Sequence, residues 1–283
     1  MAIRIVTDSC SDLPPRVAQD NDITVVPLYV NIGDDTYRDG VEIDADRFYS
    51  LLERVPRLPT TSQPSAADFQ GVYQQLLDEG HQIVSIHVSG KLSGTINSTT
   101  QARESLGDPP RIEIVDSQLG GGAQALLALS AARWAGQISD VREVARRVRQ
   151  AIPENHGFVV VDTLKYLEKG GRIGKAQAFL GGALQFKPII AIKDGGAHPV
   201  ERSRTRRRAI ARIISLVREL APLSHIHVSY STGPEQARAV IAGLADLVEP
   251  DNLIESRFGP VLGAHLGPNT IGVAVTQKGL AEW

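Results

Sequence analysis

Short runs of aliphatic and β-branched residues alternate with stretches of helical periodicity over the first half of the chain. Residues 3–7, 23–30, 82–88, 111–115 and 157–161 read as strands. Strands that alternate with helices in this way predict a mostly parallel sheet flanked by helices. The clearest helix gathers Phe69, Val72, Tyr73, Leu76 and Leu77 on one face, with Ser65 placed to cap it and Gly80 to end it. Another holds Val141, Val144, Ala145, Val148 and Ile152 behind a cap at Ser139, and turns Arg142, Arg146, Arg147 and Arg149 to water.

The pattern changes from Asp162 onward. A short helix with Tyr166 and Leu167 precedes a glycine-rich stretch, KGGRIGKAQ, and an apolar segment reaching Ile192. A turn at Asp194-Gly195-Gly196 follows, then a strand at 198–202 and a helix at 205–220. Strands at 226–229, 253–257 and 271–275 surround a helix at 234–247. This is an α+β pattern with a mixed or antiparallel sheet. The expected architecture is therefore an α/β domain with a parallel sheet at 1–161 and an α+β domain at 162–283. No Ser/Pro-rich linker separates them, so they should pack closely around a cleft, a common place for a ligand.

Four polar segments sit where strands end. Thr7-Asp8-Ser9-Cys10-Ser11-Asp12 reads either as a turn with a helix cap or as a nucleophilic aspartate, Asp8. Thr60-Thr61-Ser62-Gln63-Pro64-Ser65 places three hydroxyls and an amide before a helix start, either as capping or as an anion site. Ser89-Gly90-Lys91-Leu92-Ser93-Gly94-Thr95 joins a strand to a helix through a turn whose backbone N–H groups can cradle an anion. Its residue order fits neither a Walker A loop nor a nucleophile elbow. Finally, His265 is expected in a Gly/Pro-rich loop within Phe258–Pro268.

The formal net charge is only −2, although Arg202, Arg204, Arg206, Arg207, Arg208 and Arg212 form a basic run. That run is either a solvated helix face or a docking patch, to which Arg172 and Lys175 could add. The acidic overall balance, few aromatics and lack of a convincing helix-turn-helix signature argue against nucleic-acid binding. No apolar run is long enough to span a membrane. The opening residues MAIRIVTDSC lack a signal-peptide pattern, and Cys10 is the only cysteine; both fit a cytoplasmic protein. No Cys/His spacing suggests a metal.

Taken in order, these segments resemble the DegV family, whose members include the fatty-acid-binding subunits of bacterial fatty acid kinase. The resemblance rests on Thr7-Asp8-Ser9 with Asp12-Leu13-Pro14, Thr61-Ser62-Gln63-Pro64, Ser93-Gly94-Thr95 with Asn97-Ser98, and Val115-Asp116-Ser117. It continues through Asp162-Thr163-Leu164 with Tyr166-Leu167, Gly170-Gly171-Arg172-Ile173-Gly174, Lys187-Pro188-Ile189, Gly263-Ala264-His265 and Gly267-Pro268. Two positions depart: Ala264 stands where many members have a hydroxyl residue, and Asn269 where glycine is usual.

The resemblance implies a carrier; because no nucleotide site is evident in the sequence, no phosphoryl-transfer chemistry of its own and no cofactor are expected. Its ligand would be a fatty acid of the palmitate, stearate or oleate class, held in a tunnel between the domains. Ligand-binding residues would be Thr61, Ser62, Ser93, Gly94, Thr95 and His265. The partner would be the kinase's catalytic subunit, docking on Arg172, Arg202 and Arg204, and transient membrane contact is compatible with such a role. Hydroxyls and backbone N–H groups suffice to bind a carboxylate. A tail of about 16 carbons carries on the order of 10 kcal/mol of gross driving force at roughly 0.8 kcal/mol per buried CH₂, so tail burial should dominate affinity. The tunnel lining is expected from Leu164, Phe179, Leu180, Leu184, Phe186, Ile190 and Leu126–Leu129. Two rival readings stand beside this one: a phosphotransferase or hydrolase using Asp8, Ser93 or His265, and a regulatory nucleic-acid-associated protein using the arginine run.

Overall fold

Strand and helix alternate from the first residues described, in a computed structural model that covers residues 2–109, 111–180 and 186–279. The order is β1 (Ile3–Asp8), α1 (Pro15–Asp20), β2 (Ile23–Val26), β3 (Tyr29–Ile32), β4 (Asp35–Arg38), α2 (Ala45–Leu52), β5 (Thr60–Ser62), α3 (Ala66–Asp78), β6 (Gln82–His87), α4 (Thr95–Ser105), β7 (Ile112–Asp116), α5 (Gly122–Ala135) and α6 (Val141–Ala151). Then come β8 (Asn155–Val160), α7 (Lys165–Lys169), β9 (Lys187–Lys193), β10 (Gly196–Ser203), α8 (Arg206–Arg218), β11 (Leu223–Tyr230), α9 (Pro234–Leu244), β12 (Leu253–Arg257), α10 (Pro260–Leu266) and β13 (Ile271–Gln277).

The first domain is built on a parallel sheet in the order β2-β1-β6-β7. The second is built on a mixed sheet, β10-β9-β8-β13-β11-β12, antiparallel except where β11 meets β12. A small antiparallel sheet, β4-β3-β5, completes the first domain. The protein is thus an α/β chain with a parallel-sheet domain and a mixed-sheet domain.

Several local signals act as the sequence suggests. Ser65 caps α3 in a capping box with Asp68, and Phe69, Tyr73, Leu76 and Leu77 are buried. The two-residue turn between β9 and β10 uses positive φ at Asp194 and Gly195, the requirement of a tight hairpin. The cap of α6 is Asp140 rather than Ser139: its carboxylate accepts from the Arg142 N–H at 3.0 Å.

Three expectations are corrected. The apolar run 23–30 is two strands, not one. Pro27 has no N–H to continue the ladder, so β2 ends at Val26 and β3 joins the small sheet. The strand expected at 157–161 does not extend the parallel sheet; β8 pairs antiparallel with β13 and β9. Sheet membership therefore argues for placing the domain division ahead of Asn155 rather than at Val161. Nor does His265 lie in a loop. It is on α10, where Pro260 opens the helix and Gly267, at φ +77, closes it.

Helix α5 explains why 126–129 is apolar on every side. It is packed between the two large sheets, in contact with β1 and β6 on one side and β8, β11 and β13 on the other. Leu126 and Leu127 are buried in the first domain's core, as expected of a helix covered all round.

Candidate functional site

Where β5 pairs with β3, Thr61 stands opposite Val30, whose side chain is fully buried; Thr60 and Ser62 are exposed. Alternation along the strand thus turns Thr61 inward. Its Oγ1 lies 2.8 Å from Nε2 of His265. Ser93 sits in the turn that leads into α4, its Oγ 2.8 Å from Thr95 Oγ1. Helix α10 is held by two buried acids of the first domain. Asp12 accepts the Gly259 N–H at 2.9 Å, and Asp39 accepts from the Val261 N–H and the Ser9 hydroxyl. Burial raises both carboxyls: Asp39 to about 7, and Asp12 well above its usual range, with the Asp39 charge adding to the effect.

A cavity of about 970 Å³, its open mouth included, runs between the domains. Thr61, Ser62, Gln63, Ser93, Arg172 and His265 contribute its polar groups. Most of the remaining wall is apolar or glycine, including Leu28, Val88, Leu92, Phe258 and Leu262. A second, more polar depression lies beyond the same group of residues. It shares Thr61, Arg172 and His265 with the cavity and adds Arg57, Lys165 and Lys169. The Thr61–His265 pair therefore stands between an apolar chamber and a cationic vestibule.

Four of the six expected ligand-binding residues, Thr61, Ser62, Ser93 and His265, line the cavity. Gly94 and Thr95 do not. Thr95 supports Ser93, and Gly94 lies against the Gln63 amide, which a Cβ there would approach to 2.8 Å. Burial, with Arg172 nearby, lowers the His265 pKa to about 4, so the ring is neutral at pH 7. Its Nδ1 is buried without a hydrogen-bond partner, facing Gly170.

The three arginines expected to dock a partner are not equivalent. Arg172 points inward, donating to the carbonyls of Leu92 at 3.1 Å and Gly170 at 2.8 Å. Arg202 is on the surface, stacked 4.9 Å from both the Phe179 and Phe186 rings. Arg204 is exposed. Elsewhere in the run, Arg212 bridges Glu201 and Glu219, and Arg206 donates to Gln236 and the Val160 carbonyl.

The expected tunnel lining is corrected. Leu164, Phe179, Leu180, Phe186 and Ile190 pack with one another in a satellite core of the second domain, and Leu126–Leu129 belong to α5 and the main core. Leu184 lies outside the described residues. Much of the wall is instead made by small residues: Gly120, Gly121, Gly122, Ala123, Gly157, Gly272 and Ala274. The Gly120-Gly121-Gly122 run was the one sequence signal available for them.

Of the two family departures, Asn269 adopts φ +54, a conformation that asparagine tolerates better than most residues. Its N–H is fixed by Thr232 Oγ1 at 2.9 Å. Ala264 is buried in the small-sheet core.

Asp8 is sealed away from the cavity. Its carboxylate accepts from the Val88 and Cys10 N–H groups and pairs with His87 Nδ1 at 2.9 Å, and His87 Nε2 meets Ser85 Oγ at 2.6 Å. All three side chains are fully buried. The Ser–His–Asp order thus forms a core network that no substrate reaches.

Fold and site together define a two-domain α/β protein with an apolar chamber whose mouth carries hydroxyl, imidazole and guanidinium groups. The chain belongs to the DegV family: the family model, described as that of an uncharacterised protein, matches residues 2–278. A DegV domain-containing protein of Caldanaerobacter subterraneus is 35% identical over 282 residues, 98% of this chain and 99% of the relative. Among solved structures, a fatty-acid-binding DegV family protein from Thermus thermophilus superposes with a TM-score of 0.89 at 33% identity, covering 98% of this chain and 99% of the other. A stearic-acid-binding protein from Eubacterium ventriosum gives 0.87 at 28% identity, covering 98% of each. Among the described residues, no helix is long and apolar enough to cross a membrane, and no group of three or more His, Cys, Asp or Glu could hold a metal.

Proposed function

We propose that this protein binds one long-chain fatty acid, with its tail in the interdomain cavity and its carboxylate at Thr61, Ser93 and His265. The observation that carries this is the 2.8 Å contact between Thr61 and a neutral His265 at the mouth of an apolar chamber. With the proton on Nε2, His265 donates to Thr61 Oγ1, which frees the Thr61 hydroxyl to donate to a carboxylate oxygen. Ser93 supplies a second donor. Each link polarises the next, and Arg172, lining the same mouth, supplies a compensating positive charge. The solved relatives described as fatty-acid-binding support the same reading.

The acid group would meet the cationic vestibule rather than the chamber's interior. This fits a carrier that presents its carboxylate to a separate kinase for acyl-phosphate formation, with Arg202 and Arg204 on the docking face. We assign the chain no phosphoryl transfer of its own, no cofactor, and a cytoplasmic setting. Lipid extraction and mass spectrometry of protein purified without added lipid should recover stoichiometric palmitate-, stearate- or oleate-class acid. Recovery of none, with no uptake of added oleate, overturns the proposal. Replacing Thr61 and Ser93 together by alanine should reduce kinase-coupled turnover more than tail binding; unchanged turnover contradicts the presenting role.

A further inference from the structure

We propose that Gly157 sets the longest acyl chain the cavity accepts. This rests on the fatty-acid reading and concerns the end of the chamber remote from the carboxylate.

The second domain's sheet meets the cavity in two cross-strand rows. Ser229, Gly272 and Val159 are register partners on β11, β13 and β8. Ala274, Gly157, Ile192 and Ala197 are register partners on β13, β8, β9 and β10. Partners directly opposite one another point to the same face, as do residues two apart along a strand, and all seven line the cavity. His265 lies near the end of α10, and the chain enters β13 at Ile271 a few residues later. Along β8 and β13 the Gly272 row is therefore nearer His265 and the Gly157 row one step of roughly 6–7 Å farther from it; only at its β10 end does that row approach the Ser89 turn, where Ser89 donates to the Gly195 carbonyl at 2.7 Å. The next row inward does not line the cavity. There Thr276 donates to Asn155 Oδ1 at 2.7 Å and Asn155 donates to the Ala151 carbonyl at 2.8 Å, so its polar groups are mutually satisfied. Gly157 belongs to the last row an acyl tail can touch.

The glycines of the wall differ in what requires them. A Cβ at Gly272 would meet Phe258 at 2.6 Å, and one at Gly122 would meet the His227 ring at 2.8 Å; Gly121 has φ +61. Packing or backbone conformation explains all three. Gly157 has neither constraint. A Cβ there finds only Ala123, at an ordinary 3.5 Å. Yet it sits in the middle of β8 with partners on both sides, where glycine weakens a strand and marks a close approach. The space it leaves belongs to the cavity, and side-chain atoms added there replace terminal methylenes of the ligand.

Each methylene excluded lowers affinity roughly fourfold. In delipidated protein, Gly157→Ala should lower the ratio of stearate to laurate affinity by about fourfold, and Gly157→Val by on the order of tenfold or more, with laurate binding retained. Gly71→Ala is the control. Gly71 is exposed on α3, away from the cavity wall, and a Cβ there meets nothing within 4 Å, so it should leave the ratio unchanged. Wild-type protein that binds both acids, with the ratio unmoved in Gly157→Ala, overturns this inference alone. So does an equal shift in Gly71→Ala. Wild-type protein that binds neither acid overturns the fatty-acid reading as well. Gly157→Ala keeps the test decisive if the valine variant does not fold.

Discussion

Replacing Thr61 with valine removes one hydroxyl and nearly preserves side-chain shape. Two interactions are lost: the 2.8 Å contact with His265 and the proposed donor to the ligand carboxylate. A hydrogen bond to a charged group contributes about 1.5–3 kcal/mol, which corresponds to a roughly 10- to 150-fold weaker Kd for palmitate. The tail's gross driving force, on the order of 10 kcal/mol, is untouched, so the variant still fills. The free protein also loses stability, because His265 Nδ1 is already unpartnered and Nε2 becomes a second buried ring nitrogen without a partner. That costs about 1–3 kcal/mol. The decisive assay compares palmitate with hexadecanol, which shares the tail and lacks the charge. Displacement of a fluorescent acyl probe should show palmitate weakened and hexadecanol within about threefold of wild type. Equal weakening of both, or no change in palmitate, refutes the assignment of Thr61 to the head group.

Other substitutions test separate parts of the account. Gly170→Ala places a Cβ 2.4 Å from His265 Nδ1; it should displace the ring, weaken palmitate about tenfold, and cost about 1–3 kcal/mol of stability by overpacking, read by probe displacement and urea unfolding. Leu126→Ala should cost about 2–5 kcal/mol in urea unfolding while leaving chain-length preference unchanged, because Leu126 is 1% exposed in the core and absent from the cavity wall. Asp39→Asn should gain stability on the wild type as pH rises from about 4 to 7. Burial raises the Asp39 pKa from 3.8 to about 7, so in that window the unfolded chain is ionised while the folded carboxyl stays protonated, and the wild type loses stability with rising pH. The differential is on the order of 2–4 kcal/mol, and parallel urea titrations at pH 4.5 and 7.5 would measure it; a constant difference between the two proteins would contradict the buried-acid assignment.

The elements that read clearly from sequence are those whose local chemistry agrees with their packing. Strands β1, β6 and β7 are apolar runs bounded by polar turns, and α3 carries both an amphipathic face and a capping box. Strand β5 was hidden because its three residues are all hydroxyl-bearing; only the register with β3 makes it a strand and aims Thr61 inward. The sheet to which β8 belongs depends on pairing with β13, more than a hundred residues away, which no local pattern reports. His265 read as a loop residue because proline and glycine, here the first residue and the stop of a short helix, are also the commonest loop residues. The cavity wall was the least legible feature. Hydrophobicity marks where side chains are, and the largest aliphatic runs fill cores, whereas a chamber is made where side chains are missing. Gly157 and Gly272 reveal themselves only once the strands that carry them are placed side by side.

The most direct measurement is a crystal structure of the protein purified without added lipid. Elongated density is expected in the interdomain cavity. One carboxylate oxygen should lie within hydrogen-bonding distance of Thr61 Oγ1 and the other near Ser93 Oγ, with the methyl end against Gly157 and Ala274. An empty, collapsed chamber, or a ligand whose polar end lies at Gly157 and whose tail emerges past His265, would contradict this expectation.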